Sequence, residues 1–188
     1  MNFIYKLRLD SRLIFCWLTC MGIAQWVGAQ KIVKPPKKLS PITMTTFKNE
    51  RNYLKVTYGQ PSKRGRKVFG SLIPFGKIWR TGANEATEIT LVNDVKVRNK
   101  RFKAGTYTIF TIPGAKTWTI IFNRELGQWG AFDYPKYKDQ DELRYEAKVL
   151  ITEDVYESFT IFFRERKKGV DLIMVWSNTM VLVPLDFV

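Results

Sequence analysis

The chain has 188 residues and a formal net charge of +14 at pH 7, and it contains no histidine. Its two cysteines, Cys16 and Cys20, both lie near the N-terminus. These facts exclude Ser-His-Asp and Cys-His catalytic arrangements and the usual zinc sites from the rest of the chain. The positive charge favours anionic partners, and no metal or cofactor is predicted.

Residues 1–29 have the pattern of a secretory signal peptide. Basic residues precede an apolar run at residues 13–24, and Gly28 and Ala29 follow it as a small-residue cleavage site. The apolar run is about twelve residues long, whereas a membrane-spanning helix needs roughly 20. We therefore expect cleavage near Ala29 and export to the periplasm or the medium. Because both cysteines leave with the signal, the mature chain is expected to have no disulfide and no transmembrane span.

Residues 30–41 form a leader rich in Pro and Lys, which predicts an extended, solvated segment. Residues 42–188 then have a usual length for one domain. Nine β-patterned runs separated by turn signals are expected there, at residues 52–58, 88–91, 95–97, 106–112, 118–123, 143–150, 158–164, 170–176 and 180–183.

Several of these runs alternate apolar and polar residues, so that one face is buried and the other meets water. None shows the 3.6-residue period of an amphipathic helix. The sequence therefore predicts a single-domain all-β fold, an antiparallel β-sandwich of about nine strands with few or no helices.

The connection at residues 58–87 has unusual turn chemistry. It combines five glycines and two prolines with bulky apolar side chains. This composition predicts an irregular, partly buried segment whose backbone depends on residues with special dihedral angles.

Three stretches in this order, PSKRGRKVFGSLIPFGKIWRTGANEATEIT, FKAGTYTIFTIP and WTIIFN, resemble an exported bacterial family known as domain of unknown function 2911. The resemblance covers residues 39–184. It implies a bacterial envelope or secreted protein with a mostly β fold, and it implies no established biochemical activity.

The polar residues at the end of the 58–87 connection form the leading candidate ligand site. Arg80 offers a planar fork for a carboxylate or phosphate, and Glu85 offers an acceptor for a sugar hydroxyl. Aromatic rings on a later loop can stack on sugar rings. The predicted ligand-binding set is Trp79, Arg80, Thr81, Asn84, Glu85, Trp129 and Tyr134. In the alternative, these residues pair with one another and with backbone groups and only stabilise a turn.

Basic residues are concentrated near predicted strand ends, and the leading cluster is Lys63, Arg64, Arg66 and Lys67. If these ends share one pole of the sandwich, they form an anion-binding surface whose affinity falls with salt. Export argues against intracellular nucleic acid, so the expected partner is an anionic glycan or a polyanion resembling lipopolysaccharide. The alternative is a solvated surface that keeps strand edges apart.

The sequence favours a binding module for an anionic or carbohydrate-like envelope component. One alternative is a histidine-free hydrolase acting on glycosides, with Glu85 as its acid or base. Another is a structural envelope protein without a ligand. Burial of Arg80 against Glu85 would favour the structural role, whereas an open pocket lined by both would favour the other two.

Overall fold

The computed structural model describes residues 39–188, so the predicted signal peptide and residues 30–38 of the predicted leader lie outside the described residues. Within this range no helix is long and apolar enough to cross a membrane. Two 3₁₀ turns, Tyr134–Lys136 and Lys138–Gln140, are the helical elements of the described chain. The strands are β1 (Ile42–Lys48), β2 (Tyr53–Gly59), β3 (Thr87–Leu91), β4 (Val95–Val97), β5 (Lys100–Phe102), β6 (Gly105–Ile112), β7 (Thr117–Asn123), β8 (Asp141–Lys148), β9 (Leu150–Arg166) and β10 (Gly169–Phe187).

The strands form two antiparallel sheets, as the sequence predicts. One sheet has six strands in the order β1-β2-β3-β6-β7-β8, and the other has four in the order β5-β4-β10-β9. Buried apolar side chains from both sheets form one continuous core, so the all-β sandwich is confirmed. The strand count is ten rather than nine.

The differences from the predicted strands have local causes. β1 is an edge strand of the larger sheet, and its residues Ile42 and Met44 stay exposed, so it lacks a buried face. β5 has only three residues, and two of them are basic, so its sequence lacks the apolar pattern from which a strand is predicted. The last two predicted runs are one strand, β10, because Ser177 takes a φ of 55° at an irregularity in the pairing instead of ending the strand.

The β9–β10 hairpin is long and strongly bent. Its register shifts on both sides of Ser177, and the end of β10 returns to its own beginning, where the Phe187 N–H donates to the Lys168 carbonyl at 2.9 Å. A side chain at Gly169 would overlap with the carbonyl of Leu185. The bend lets two strands supply most of the smaller sheet.

Aromatic rings fill the middle of the core, and two of them come from the irregular 58–87 connection. Trp79 stacks on Trp176 of β10 at 6.1 Å between ring centroids, and it meets Phe159 of β9 at 5.0 Å. Phe69 meets Trp118 of β7 at 4.7 Å. Because removing one such buried ring typically costs about 3–5 kcal/mol, this packing fixes the connection to the sandwich.

A second, smaller apolar cluster lies on the outer face of the six-stranded sheet. Phe110 of β6 and Ile121 of β7 stand directly opposite each other in the ladder. Residues of the connections before β3 and before β8 cover them, namely Ile78, Ala86, Ala131 and Tyr134. The outer face of the sheet therefore carries loops rather than bare strands here.

The end of the 58–87 connection is pressed against the end of β2. The Ala83 N–H donates to the Gly59 carbonyl at 3.1 Å. A Cβ added at Gly59 would overlap with the Ala83 carbonyl oxygen, and one added at Gly82 would lie 2.9 Å from the Gly59 carbonyl oxygen. Glycine is needed at both positions because the two backbones approach so closely.

Thr81 sits beside this contact in a strained conformation. It is fully buried and has a φ of 56°, which is rare for a β-branched residue. Its hydroxyl donates to Thr111 Oγ1 at 3.2 Å, and its carbonyl accepts from the Thr87 hydroxyl at 2.6 Å. Such strain costs of order 1–3 kcal/mol and persists only where the surroundings hold it in place.

We predict that Gly59→Ala lowers the free energy of unfolding by about 3 kcal/mol or more, because the added methyl group overlaps a backbone carbonyl that cannot move without Thr81. Urea denaturation followed by tryptophan fluorescence measures the change. Gly65→Asn is the control, since Gly65 has a φ of 73° that Asn tolerates and nothing lies within 4 Å of its added Cβ. Equal stability of Gly59→Ala and wild type would contradict the close contact.

Candidate functional site

Four of the seven predicted ligand residues line one of two cavities, and the other three, Thr81, Trp129 and Tyr134, line neither of them. Arg80 lines a cavity of about 400 Å³, here called the Arg80 cavity. Asn84 and Glu85 line one of about 210 Å³, here called the Glu85 cavity. Ala83 lines both, so the two cavities lie on either side of the same short loop. Arg80 and Glu85 are therefore not paired with each other.

The Arg80 cavity is strongly basic. Four cationic side chains line it, and no Asp or Glu of the described chain does: Arg64, Arg66, Lys77 and Arg80. The first two come from a tight turn in which the Arg66 N–H donates to the Lys63 carbonyl at 3.0 Å. Positive φ angles at Arg64 (48°) and Gly65 (73°) make it a type I′ turn. The turn presents both arginines to the cavity.

Backbone carbonyls hold these two arginines. An Arg64 terminal nitrogen donates to the Leu39 carbonyl at 2.9 Å. Arg66 donates to the carbonyls of Lys63 and Ser62, each at 2.8 Å. A carbonyl orients a guanidinium but does not cancel its charge, and the Glu157 carboxylate, which accepts the Arg64 backbone N–H at 2.7 Å, offsets only part of the positive charge of the turn. Lys63 and Lys67, the other members of the predicted basic cluster, do not line the cavity.

Arg80 is the least satisfied of the four cations. Its side chain is half-buried, and its buried Nε has no hydrogen-bond partner among the described residues. Burial lowers the pKa of Arg80 from its ordinary 12.5, and no carboxylate opposes this effect. Because an arginine stays protonated in proteins, its positive charge remains at a partly buried site where no carboxylate of residues 39–188 acts as a counter-ion.

An apolar wall completes the Arg80 cavity. Leu72, Ile73 and Pro74 line it from the middle of the 58–87 connection, together with Ile78. The rings of Trp79 and Trp176 form part of its floor. The cavity therefore has both cationic and apolar residues in its lining.

Two predicted ligand residues, Trp79 and Thr81, have their polar groups in contact with protein atoms. The Trp79 indole N–H donates to the Gly82 carbonyl at 3.0 Å, and its ring is in the core. The Trp79 backbone pairs with Thr111, with N–H to carbonyl distances of 2.7 and 2.9 Å. These contacts fix the residues on either side of Arg80 and so set the position of its side chain.

The Glu85 cavity has the opposite character. Glu85 and Glu88 line it, and no Lys or Arg of residues 39–188 does. Glu88 also accepts the Gly127 N–H at 2.9 Å. Gln128, which is 8% exposed, lines the cavity too, and its Oε1 has no partner in the described structure. No group of three His, Cys, Asp or Glu residues suited to a metal occurs within this range.

Trp129 stands beside Glu85 because the two residues face each other in a short antiparallel ladder. Hydrogen bonds of 2.9 Å from Ala86 to Gln128 and of 3.0 Å from Gly130 to Asn84 flank the pair. In such a non-hydrogen-bonded pair the side chains share a face, with Cβ atoms about 4.5–5.5 Å apart. Trp129 is 62% exposed and Glu85 is also exposed, so an indole and a carboxylate meet solvent together.

Tyr134 lies elsewhere. Its ring packs on Phe110 at 5.0 Å in the outer apolar cluster, and its hydroxyl donates to Asp141 Oδ2 at 2.8 Å and accepts from Arg144 at 3.0 Å. Burial, with the Asp141 hydrogen bond, raises the pKa of Tyr134 to about 12. Its ring is not exposed for stacking, whereas Phe132, which is not in the predicted ligand-binding set, is 79% exposed.

Three further cavity residues are absent from the predicted ligand-binding set. Lys77 lies in a glycine- and proline-rich stretch of a basic chain, and nothing in the sequence distinguishes it from the other lysines. Glu88 reads as an ordinary outward-facing strand residue. Gln128 reaches the Glu85 cavity only through the ladder with residues 84–86, a tertiary pairing that no sequence spacing indicates.

Comparison with known proteins gives a family but no activity. A family model described as a protein of unknown function (DUF2911) matches residues 40–185, which confirms the resemblance seen in the sequence. No curated protein and no solved structure matches the chain. The function must therefore be argued from the two cavities.

We predict that Tyr134→Phe lowers the free energy of unfolding at pH 7 by about 1 kcal/mol, through loss of its hydroxyl hydrogen bonds. The variant is also expected to lose less stability on going to alkaline pH. In the unfolded chain this tyrosine has the ordinary pKa of 10.0, whereas in the folded chain its pKa is about 12. The stability that the neutral hydroxyl contributes is therefore fully present below pH 10 and is lost as the pH rises from 10 to about 12.

Denaturation curves between pH 7 and 11.5 measure both effects. Tyr58 and Tyr107, whose pKa values burial also raises, leave a residual alkaline slope in the variant. Tyr137→Phe serves as the control. An unchanged slope in Tyr134→Phe would contradict the buried, neutral hydroxyl.

Proposed function

Since the chain belongs to the DUF2911 family, whose description assigns no activity, we propose from its geometry that it is an exported binding protein that holds an anionic ligand in the Arg80 cavity. One observation carries the proposal. The Arg80 side chain is half-buried, its buried Nε has no hydrogen-bond partner among residues 39–188, and it lines a cavity with three further cations and no carboxylate of the described chain.

Electrostatics favours an anion there over an empty cavity. Removing a cation from water without a partner is costly, and a bound carboxylate or phosphate would repay that cost through charge-assisted hydrogen bonds. Such bonds contribute roughly 1.5–3 kcal/mol each. Arg64 and Arg66 also line the cavity, and their guanidinium groups donate to backbone carbonyls rather than to carboxylates.

The ligand is an anionic group attached to an organic body, rather than a bare ion. The cavity of about 400 Å³ falls in the usual range for small-molecule sites. Its apolar wall, built by Leu72, Ile73 and Ile78, would cover carbon atoms next to the charged group. An envelope glycan that carries phosphate or carboxylate groups has this combination.

Export and domain organisation belong to the same proposal. Residues 1–29 would direct secretion and be removed, residues 30–41 would serve as a leader, and residues 42–188 would form the binding domain. Leu39 and Ser40, at the end of that leader, line the Arg80 cavity, so its last residues contribute to the site. The ligand would then be met in the periplasm or outside the cell.

We predict that Arg80→Ala weakens binding of anionic sugars by at least about tenfold, because it removes the buried charge and its hydrogen-bond donors. The affinity of Arg80→Lys should lie between those of Arg80→Ala and wild type, since lysine keeps the charge but lacks the planar guanidinium. Titration calorimetry with glucose 6-phosphate and glucuronate, beside neutral glucose, measures the affinities.

Lys96→Ala is the matched control, because Lys96 is an exposed cation on β4 that does not line the cavity. It should bind like wild type. Melting temperatures establish that each variant is folded. Wild-type affinity in a folded Arg80→Ala protein, or no binding of either anion by wild type, would overturn the proposal.

A further inference from the structure

The Arg80 cavity has more apolar surface than an anion alone needs. Besides its four cations, the lining includes Leu39, Leu72, Ile73 and Ile78. In small-molecule sites apolar side chains hold the body of the ligand, while a few polar groups fix its orientation. The lining therefore bears on the part of the ligand that carries the anionic group.

Uncharged polar side chains are few in this lining. Within the described chain they are Ser40 and Ser62, and the Ser62 hydroxyl already shares a hydrogen bond of 2.9 Å with the Ser158 hydroxyl. A sugar ring has several hydroxyl groups, and each of them needs a hydrogen-bond partner when it leaves water for a cavity. An alkyl chain has no such requirement. The lining therefore suits an alkyl chain next to the anionic group better than a sugar ring.

Large apolar side chains at this cavity are left exposed. Among the lining residues, Leu39 is 74% exposed and Leu72 is 36% exposed. Phe75, the residue after the lining Pro74, is 45% exposed. An apolar group that binds over such side chains removes their surface and its own from water, which favours binding.

The apolar and cationic parts of the lining are in direct contact. The Leu39 carbonyl accepts from the Arg64 guanidinium at 2.9 Å, so an exposed leucine lies beside a cation. Four cationic side chains line the cavity, which favours a phosphate monoester with roughly 1.5–2 negative charges at pH 7 over a singly charged carboxylate. This combination matches a molecule whose phosphate is joined to an alkyl chain.

We propose that the Arg80 cavity binds an alkyl phosphate, with the phosphate at the cations and the chain against Leu39, Leu72 and Ile73. The proposal rests on the anion site proposed above and names the chemical class of its ligand. The lipid end of a phosphorylated envelope glycolipid has this chemistry, and its sugar part would lie outside the cavity.

Titration calorimetry of the purified protein with octyl phosphate and ethyl phosphate, below the concentration at which micelles form, tests the proposal. Octyl phosphate should bind at least about tenfold more tightly, since burial of two of its six additional methylene groups is enough for that gain. Octyl glucoside, a neutral amphiphile with the same chain, should bind at least about tenfold more weakly than octyl phosphate. Arg80→Ala should weaken the binding of both phosphates.

Leu72→Ser should lower the affinity for octyl phosphate about three- to fivefold and leave that for ethyl phosphate unchanged, because this side chain would contact the chain and not the phosphate. Leu39→Ser should act in the same direction, so the test does not depend on one variant remaining folded. Leu126→Ser is the matched control, since Leu126 is 43% exposed and lines neither cavity. It should bind both phosphates like wild type.

Equal affinities for the two phosphates, both lowered by Arg80→Ala, would overturn this inference and leave anion binding at Arg80 intact. Octyl glucoside bound as tightly as octyl phosphate would also overturn it. So would a gain from the octyl chain that persists in both leucine variants. Binding of neither phosphate and of neither sugar anion would overturn this inference together with the proposed function.

Discussion

The packing of Trp79 between the two sheets is the contact on which the rest of the structure depends. Its ring touches β9, β10 and Phe69 at once, and its backbone extends the ladder of β6 at Thr111. An irregular segment of this length has few backbone partners of its own, so a buried ring is what keeps it in one conformation. Arg80 is the next residue, so the packing of Trp79 determines where the Arg80 side chain lies in its cavity.

The loop after Trp79 also explains how two cavities of opposite charge coexist so close together. Thr81 turns the chain through a left-handed conformation, and Gly59 lets Ala83 lie directly on β2. Arg80 is thereby directed to one side, and Asn84 and Glu85 to the other. If the Arg80 and Glu85 side chains were in contact, they would form an ion pair, and each charge would neutralise the other. The strain at Thr81 keeps them apart.

The sequence predicted the fold well because a strand with one buried face alternates apolar and polar residues, as β2 does. β6 is buried on both faces, since loops cover its outer side. It missed β1, which lies at an edge with little burial, and it identified the family correctly. The site was harder to predict, because residues 80–85 form one polar stretch in the sequence, which suggests a single site rather than two cavities. A positive φ at a buried threonine contradicts local preference, and only tertiary contacts reveal it.

Three departures from ordinary protein chemistry border the loop around Ala83, while others, such as the positive φ angles of Arg98 and Ser177, lie elsewhere. Within residues 39–188 the buried Nε of Arg80 and the Oε1 of Gln128 have no hydrogen-bond partner, and Thr81 is strained. A sandwich with this aromatic core does not need any of them for its stability, since apolar residues of similar volume serve at least as well as buried ions. A feature that lowers the stability of a protein is retained where it serves another role, because strained and unpartnered residues occur mainly at functional sites. Their clustering on the wall between the two cavities is therefore itself an argument that this wall is where the protein meets its ligands.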